Sequence, residues 1–197
     1  MSIVHVMGRP RTFEDDDVVD RAMEAFWING YANTSPAQLA EATGLAKGSL
    51  YNAFGSKREL FELALARYDR MGADLTGKYM SRPGSTREVV GAYLRHLVDA
   101  DLADPDRRGC LAANTALELS GQDAEIRRII LAITEHNLTA LADRIDQGRR
   151  DGDVSRDTDP RATAEFLMNS IAGLRVMAKS YDLAVLYRII DTTLSTL

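Results

Sequence analysis

The sequence has little of what disulfide scaffolds, metal sites and membrane proteins require. It contains one cysteine, Cys110, which excludes an intrachain disulfide framework and suggests a reducing compartment. Its three histidines are scattered, so a multi-ligand zinc site is hard to build. No apolar run approaches the roughly 18 residues of a membrane span, and the N-terminus lacks the apolar core of a signal peptide. We therefore expect a soluble, cytoplasmic protein with no metal, no cofactor and no membrane partner.

Helix-breaking residues are also few, and positive charges do not outnumber negative ones. Five prolines and fourteen glycines interrupt 197 residues, and 45% of the residues are hydrophobic, which favours a folded, helical protein. The 29 acidic residues outnumber the 24 Lys and Arg residues, for a net charge of −5. This acidity argues mildly against a nucleic-acid partner, but a local basic surface decides whether phosphates bind. The net charge therefore leaves DNA binding open.

Helical signals cover most of the chain. Apolar residues recur at three- and four-residue spacing, and no stretch alternates as a strand does. Thr12 is a suitable N-cap for a first helix. Ser35, Pro36 and Gln38 combine a capping box with a proline at the first helical position, which is a complete start signal. The sequence therefore predicts an all-α fold of about nine helices.

Two short predicted helices lie between longer ones. The first begins at Pro36 and ends near Thr43, where Gly44 breaks it. The second covers about residues 46–53 and is closed by Gly55. Two short helices joined through a glycine-containing turn, with longer helices on both sides, are typical of a helix-turn-helix.

The residues around this helix-turn-helix follow a known pattern. They are Gly8-Arg9-Pro10-Arg11, Ala25-Phe26, Gly30-Tyr31, Thr34-Ser35, Leu39-Ala40, Gly44-Leu45, Lys47-Gly48-Ser49-Leu50-Tyr51, Phe54, Lys57 and Leu60-Phe61. In this pattern residues 8–68 resemble the DNA-binding domain of the TetR/AcrR family of transcriptional regulators. Ala53 departs from the family, where a His or Tyr often precedes the phenylalanine. Two later strings, Gly109-Cys110-Leu111 and Gly173-Leu174-Arg175, are similar to an AcrR-like branch.

The resemblance implies two domains and a homodimer. Residues 1–55 would form the N-terminal DNA-binding domain, with a connector helix over 56–70, and residues 71–197 would form an effector-binding and dimerisation domain. The last two predicted helices, 160–179 and 183–196, would pair between subunits, and they carry apolar residues on more than one face. Alternatively, these helices complete a monomeric core. A twofold dimer would suit a palindromic double-stranded operator with half-sites about one helical turn apart.

Candidate DNA contacts lie along the recognition helix and beside it. Gly48 and Ser49 are small enough for close approach to a major groove, although Gly48 can also serve close packing against a neighbouring helix. Thr34 and Ser35 lie at a helix N-terminus, where free N–H groups and a hydroxyl can bind a phosphate, although Ser35 can also be an ordinary cap. The arm around Pro10 either contacts DNA or is a solvated tail. The full set is Arg9, Arg11, Thr34, Ser35, Lys47, Gly48, Ser49, Tyr51, Asn52 and Lys57.

Roles within this set follow from side-chain chemistry. Lys47, Tyr51 and Lys57 suit phosphates because they offer two cations and a phenolic hydroxyl. With Ala53 unable to make a polar contact, base readout would rest on Lys47, Ser49, Tyr51 and Asn52. The operator sequence does not follow from this.

The middle helices of a TetR-like protein would enclose a pocket for a small-molecule effector. A plain helical core would show the same apolar pattern. The candidate lining residues are Tyr93, Leu97, Cys110, Leu117, Ile133, Asn137 and Met168.

Cys110 has two interpretations. It follows Arg107 and Arg108 and begins a helix, and nearby cations and a helix N-terminus both favour a reactive thiolate. Some members of the resembling branch sense electrophiles through a cysteine, so a thiol sensor is one hypothesis. The other is a small buried hydrophobic residue.

The resemblance implies a transcriptional repressor that a small-molecule or thiol-reactive effector releases from its operator. The rival from another class is a helical binding protein or enzyme that uses Cys110 with His96 or His136. No phosphate-binding loop, carboxylate pair or metal-ligand spacing supports catalysis, so we predict no enzymatic activity. An activator is a third option, because the sign of regulation depends on operator position.

Overall fold

The computed structural model describes residues 15–197, which form nine α-helices and contain no β-strand. The predicted all-α class is confirmed. No helix in this range is long and apolar enough to cross a membrane. Arg9, Arg11 and the predicted cap Thr12 lie outside the described residues. The helices are α1 (Asp15–Asn29), α2 (Pro36–Thr43), α3 (Lys47–Phe54), α4 (Lys57–Met80), α5 (Thr86–Ala103), α6 (Leu111–Leu119), α7 (Ala124–Asp151), α8 (Pro160–Met177) and α9 (Leu183–Leu194).

Local capping sets the ends of α2. The Ser35 hydroxyl accepts a hydrogen bond from the Gln38 N–H at 3.2 Å, and the Gln38 side-chain oxygen accepts one from the Ser35 N–H at 2.8 Å. Pro36 occupies the first turn, where it has no N–H to leave unpaired. Gly44 ends the helix with φ of +72°, a left-handed conformation that glycine adopts without steric cost. The capping box is therefore confirmed, and α2 and α3 form the predicted helix-turn-helix.

Two clusters of buried apolar side chains hold the helices together. The first joins α1–α4 to α6 and α7, and at its centre the rings of Phe26 and Phe61 meet edge to face at 4.9 Å. Leu111 of α6 and Ile126 of α7 are buried in this same cluster. The second cluster joins α5, α7, α8 and α9 to the end of α4. The buried cluster around the helix-turn-helix therefore continues into α6 and α7, which pack on α4.

Helix α4 is longer than the predicted connector over residues 56–70. It continues to Met80, and Gly72 and Gly77 do not break it. Phe61 near its start is buried in the first cluster, and Tyr79 near its end is buried in the second. Burial of the last turns explains why the helix extends past residue 70. One continuous helix thus belongs to both clusters.

Candidate functional site

Helix α3 buries one side and exposes the other. Leu50 is fully buried and fixes the helix on the first cluster. Lys47, Gly48, Ser49 and Asn52 are exposed on the opposite side. A Cβ added to Gly48 would meet no atom within 4 Å among the described residues, so close packing against a neighbouring helix does not explain this glycine. The exposed face carries small or polar side chains and is accessible to a partner as large as DNA.

Two other predicted phosphate ligands lie behind this face. Tyr51 is half-buried, and within the described range its covered hydroxyl has no hydrogen-bond partner. Burial raises the pKa of Tyr51, and the nearby Tyr31 adds to the rise. The Lys57 ammonium lies 4.4 Å from the centroid of the Tyr31 ring, and partial burial lowers the pKa of Lys57 while Glu118 opposes that shift. Tyr51 and Lys57 are therefore less exposed than the residues of the open face of α3.

Thr34 does not lie where a phosphate could reach its side chain. It is fully buried, and its hydroxyl donates to the Gly30 carbonyl oxygen at 2.5 Å. The hydroxyl therefore satisfies the C-terminal end of α1, and the predicted phosphate contact through this side chain is wrong. Ser35, one residue later, remains exposed at the start of α2. Its hydroxyl is used in the capping box.

A cavity of about 1010 Å³ lies among α4, α5, α6, α7 and α8. Leu117 is 82% exposed and lies at its rim. Met71 and Val176 are also partly exposed on its walls. The structure brings together all seven residues that the sequence suggested as a pocket lining: Tyr93, Leu97, Cys110, Leu117, Ile133, Asn137 and Met168.

A buried polar cluster on the cavity wall was not predicted from the sequence. The Arg175 guanidinium donates to both carboxylate oxygens of Asp101 at 2.9 and 2.7 Å, to the Tyr68 hydroxyl at 3.1 Å and to the Gly109 carbonyl at 2.8 Å. Burial opposes the charge of Arg175, but its hydrogen bonds to Asp101 raise its pKa overall. Burial also raises the pKa of Tyr68, as does Cys110. The one available signal was that Arg175 interrupts the apolar run of residues 171–178.

Cys110 lies at the start of α6, as expected. Its sulfur accepts hydrogen bonds from the Ala113 N–H and the Tyr68 hydroxyl, both at 3.4 Å. The preceding arginines are directed elsewhere: Arg107 donates to the Ala178 carbonyl at 3.0 Å, and Arg108 pairs with Asp104 at 2.7 Å and with Glu24. The side chains of Arg107 and Arg108 therefore bond to other groups, and neither gives the Cys110 sulfur the direct cationic contact that the sequence predicted. The nearest buried cation is Arg175, which reaches the thiol through Tyr68.

The histidines of the rival enzyme hypothesis have other partners. His136 Nδ1 lies 2.9 Å from a carboxylate oxygen of Asp69. The His96 ring stacks on Tyr79 with centroids 5.2 Å apart. Among the described residues no histidine is hydrogen-bonded to Cys110, so a thiol–imidazole pair is not formed.

The segment of residues 118–123, which we call the α6–α7 segment, connects the cavity to the helix-turn-helix. The Glu118 carboxylate accepts hydrogen bonds from the N–H groups of Tyr31 at 2.9 Å and Ala32 at 2.6 Å, in the turn between α1 and α2. Asp123 pairs with Arg58 in the first turn of α4, and this pairing lowers the pKa of Asp123 to about 2. The same α6 provides part of the cavity wall. Sequence spacing gives no signal for these pairs, since 65 to 87 residues separate the partners.

Helices α8 and α9 retain apolar surface after the protomer has folded. Phe166, Val176, Tyr181 and Leu183 are each 44–49% exposed. A second, smaller cavity of about 400 Å³ lies between the two helices, beside Phe166 and Ile189. These helices correspond to the pair that the sequence suggested as a dimer interface.

Two family models match the chain. Residues 18–64 match bacterial regulatory proteins of the tetR family. Residues 86–190 match the tetracyclin repressor-like C-terminal domain. The first match covers the helix-turn-helix, and the second covers α5 to α8, which form most of the cavity wall.

The chain is also similar to known regulators along nearly its whole length. It is 30% identical to the HTH-type transcriptional repressor ComR of Escherichia coli K12, over 95% of this chain and 90% of ComR. It is 33% identical to YezE of Bacillus subtilis 168, an uncharacterized HTH-type transcriptional regulator, over 97% and 100%. A cysteine mutant of the TetR family regulator CifR, complexed with 26-bp operator DNA, matches with a TM-score of 0.86 at 34% identity, over 95% of this chain and 98% of that chain. This chain therefore belongs to the TetR family and is a DNA-binding transcriptional regulator.

Proposed function

We propose that the protein is a dimeric repressor that leaves a palindromic operator when a small-molecule or thiol-reactive effector occupies the cavity. The observation that carries this proposal is the position of α6 and the α6–α7 segment. One end of α6 forms cavity wall at Cys110, and the other end is hydrogen-bonded to the α1–α2 turn through Glu118. A ligand that prefers a displaced α6 would shift the helix-turn-helix, and an effector acts only through such a difference in affinity.

The DNA contacts of the proposal come from the exposed side of α3. Lys47, Ser49 and Asn52 are free to meet base edges and phosphates there, and Gly48 permits close approach. The complex of CifR with operator DNA supports this mode of binding, because the two folds match over nearly their full lengths. Ser35, Tyr51 and Lys57 would contact the sugar-phosphate backbone at the edges of the interface. Arg9 and Arg11 would extend from the preceding arm.

The dimer of the proposal uses α8 and α9. Their partly exposed apolar side chains, Phe166 and Leu183, would be buried by a second copy. A twofold axis there gives the two α3 helices the symmetry of a palindrome. We propose residues 1–55 as the DNA-binding domain and 71–197 as the effector-binding and dimerisation domain, with residues 56–70 as the connector. The proposed role is regulatory and includes no catalysis. The protein would act in the cytoplasm, where its operator DNA lies.

The proposal is tested by selecting genomic fragments with the purified protein at physiological salt and sequencing them. We expect enrichment of a palindrome with half-sites about one helical turn apart. A protein that enriches no palindrome after removal of bound small molecules by unfolding and refolding would contradict the proposal.

The thiol-reactive form of the effector is tested with Cys110→Ser. The thiol lines the cavity and is half-buried, so a compound inside the cavity reaches it. We expect an oxidant or alkylating agent to release wild-type protein from the operator and to leave the variant bound. Equal release of both proteins, measured by fluorescence anisotropy of labelled operator, would eliminate the sensor role.

A further inference from the structure

The cavity walls carry almost no available charge. Most of the lining is apolar, including Leu75, Leu97, Ile130, Ile133, Leu138 and Met168. Glu165, which also lines the cavity, is exposed and pairs with Arg161 at 2.8 Å. Among the described lining residues, Arg175 is the one buried cation. The charge preference of the site therefore depends on the state of that guanidinium.

The charge of Arg175 is already neutralised by the protein. Asp101, which is 4% exposed, accepts hydrogen bonds from Nε and Nη2 of Arg175. The Gly109 carbonyl accepts the second hydrogen bond from Nη2. Nη1 donates to the Tyr68 hydroxyl. Four of the five guanidinium N–H bonds are thus occupied, two of them in a bidentate pair with a carboxylate. A ligand carboxylate would have to compete with Asp101 for this cation.

Two polar side chains of the wall, Tyr93 and Asn137, are both paired with Thr76. The Tyr93 and Thr76 hydroxyls are 2.8 Å apart, and the Thr76 hydroxyl donates to the Asn137 side-chain oxygen at 2.5 Å. The Asn137 amide donates to the Ile133 carbonyl at 3.0 Å. A strongly polar ligand would therefore lose its hydrogen bonds to water and find few replacements here.

We propose that the effector is an uncharged, mostly apolar molecule, and that Asp101 sets this selectivity by neutralising Arg175. The inference rests on the proposed function of the cavity as the effector site. An anion entering the cavity meets a cation that is already paired, and a cation meets no free carboxylate in the buried part. Burial of an unpaired charge is unfavourable, so the uncharged form of a given ligand binds best.

The experiment compares octanol with octanoate, which share a hydrocarbon chain and differ in charge at neutral pH. Each competes with the neutral fluorophore aminoanthracene for the full-length dimer. We expect octanol to displace the fluorophore from wild-type protein at a concentration at least about tenfold lower than octanoate. Absence of fluorophore binding, or equal competition by the two compounds, would overturn the proposal.

Asp101→Asn then removes the counter-charge while preserving the shape of the side chain. We expect the octanoate-to-octanol affinity ratio to rise by about tenfold or more, because Arg175 is left uncompensated. The double variant Asp101→Asn, Arg175→Gln should return the ratio to its wild-type value. A ratio unchanged by Asp101→Asn would show that the ion pair does not set the selectivity.

A matched control is Asp191→Asn, which removes an exposed carboxylate that pairs with Arg95 at 2.7 Å and does not line the cavity. It should leave the ratio unchanged. If Asp101→Asn does not fold, the wild-type ratio alone decides the charge preference. Operator affinity is measured separately: a correct charge preference with no effect of bound octanol on operator binding would support the selectivity and contradict the effector role of the cavity.

Discussion

Replacing Glu118 with alanine should loosen the turn between α1 and α2. The carboxylate accepts hydrogen bonds from two backbone N–H groups, at 2.9 Å from Tyr31 and 2.6 Å from Ala32. Hydrogen bonds to a charged acceptor contribute about 1.5–3 kcal/mol each when they are buried. Here the Ala32 contact is exposed and the Tyr31 contact is half-buried, so water replaces part of what is lost. We expect Glu118→Ala to lower the free energy of unfolding by about 1–2 kcal/mol.

Native-state hydrogen exchange locates the effect. The amides of Tyr31 and Ala32 should exchange about tenfold faster in the variant, because local opening of the turn becomes easier by that free energy. Glu125→Ala is the matched control, since Glu125 is exposed and pairs with Arg128 within α7 at 2.6 Å. That control should cost less than about 0.5 kcal/mol. If Glu118→Ala cost no more than the control, or left both amides protected, the carboxylate would not hold the turn.

Three further predictions concern α3 and the start of α4. Lys47→Ala should weaken binding to all DNA sequences and reduce the slope of log affinity against log salt concentration by about 1. Fluorescence anisotropy measures both quantities, and an unchanged slope would show that Lys47 does not contact a phosphate. Gly48→Ala should stabilise the protein by up to about 1 kcal/mol in urea yet weaken operator binding, and unaltered affinity would mean that this face does not approach DNA. The lowered pKa of Asp123 means that its stabilising pairing with Arg58 is complete above the ordinary carboxylate pKa of 3.8 and is lost as the pH falls towards 2. Asp123→Asn should flatten that part of the stability profile, and an identical acid limb in both proteins would exclude this pair as a cause.

The sequence predicted best what depends on neighbours along the chain. The capping box of Ser35 and Gln38 spans three residues, so its residue types are sufficient to locate the start of α2. Ile133 and Asn137, one helical turn apart, were both named as candidate lining residues, and both line the cavity. The length of α4 was underestimated because the burial of its last turns depends on α5 and the later helices, which no local pattern reveals.

Long-range polar pairs were missed for the same physical reason. Arg175 and Asp101 are 74 residues apart, and each is an ordinary charged residue until the fold brings them together. Thr34 shows the converse error, since its place at a helix N-terminus suggested a phosphate ligand. The packing of α1 against α2 instead buries its hydroxyl against the end of α1.

The continuity of α4 makes it a rigid lever between the two ends of the protomer. From Arg58, at the helix-turn-helix, to Leu75, on the cavity wall, the helix rises about 26 Å at 1.5 Å per residue. A tilt of about 5° about one end would displace the other end by about 2 Å. This displacement is several times larger than the spread of donor–acceptor distances at which hydrogen bonds form. Under the proposed function, base-edge contacts would therefore respond to side-chain movements in the cavity that are too small to disrupt either buried cluster. The length of one helix would then set the amplitude of the response.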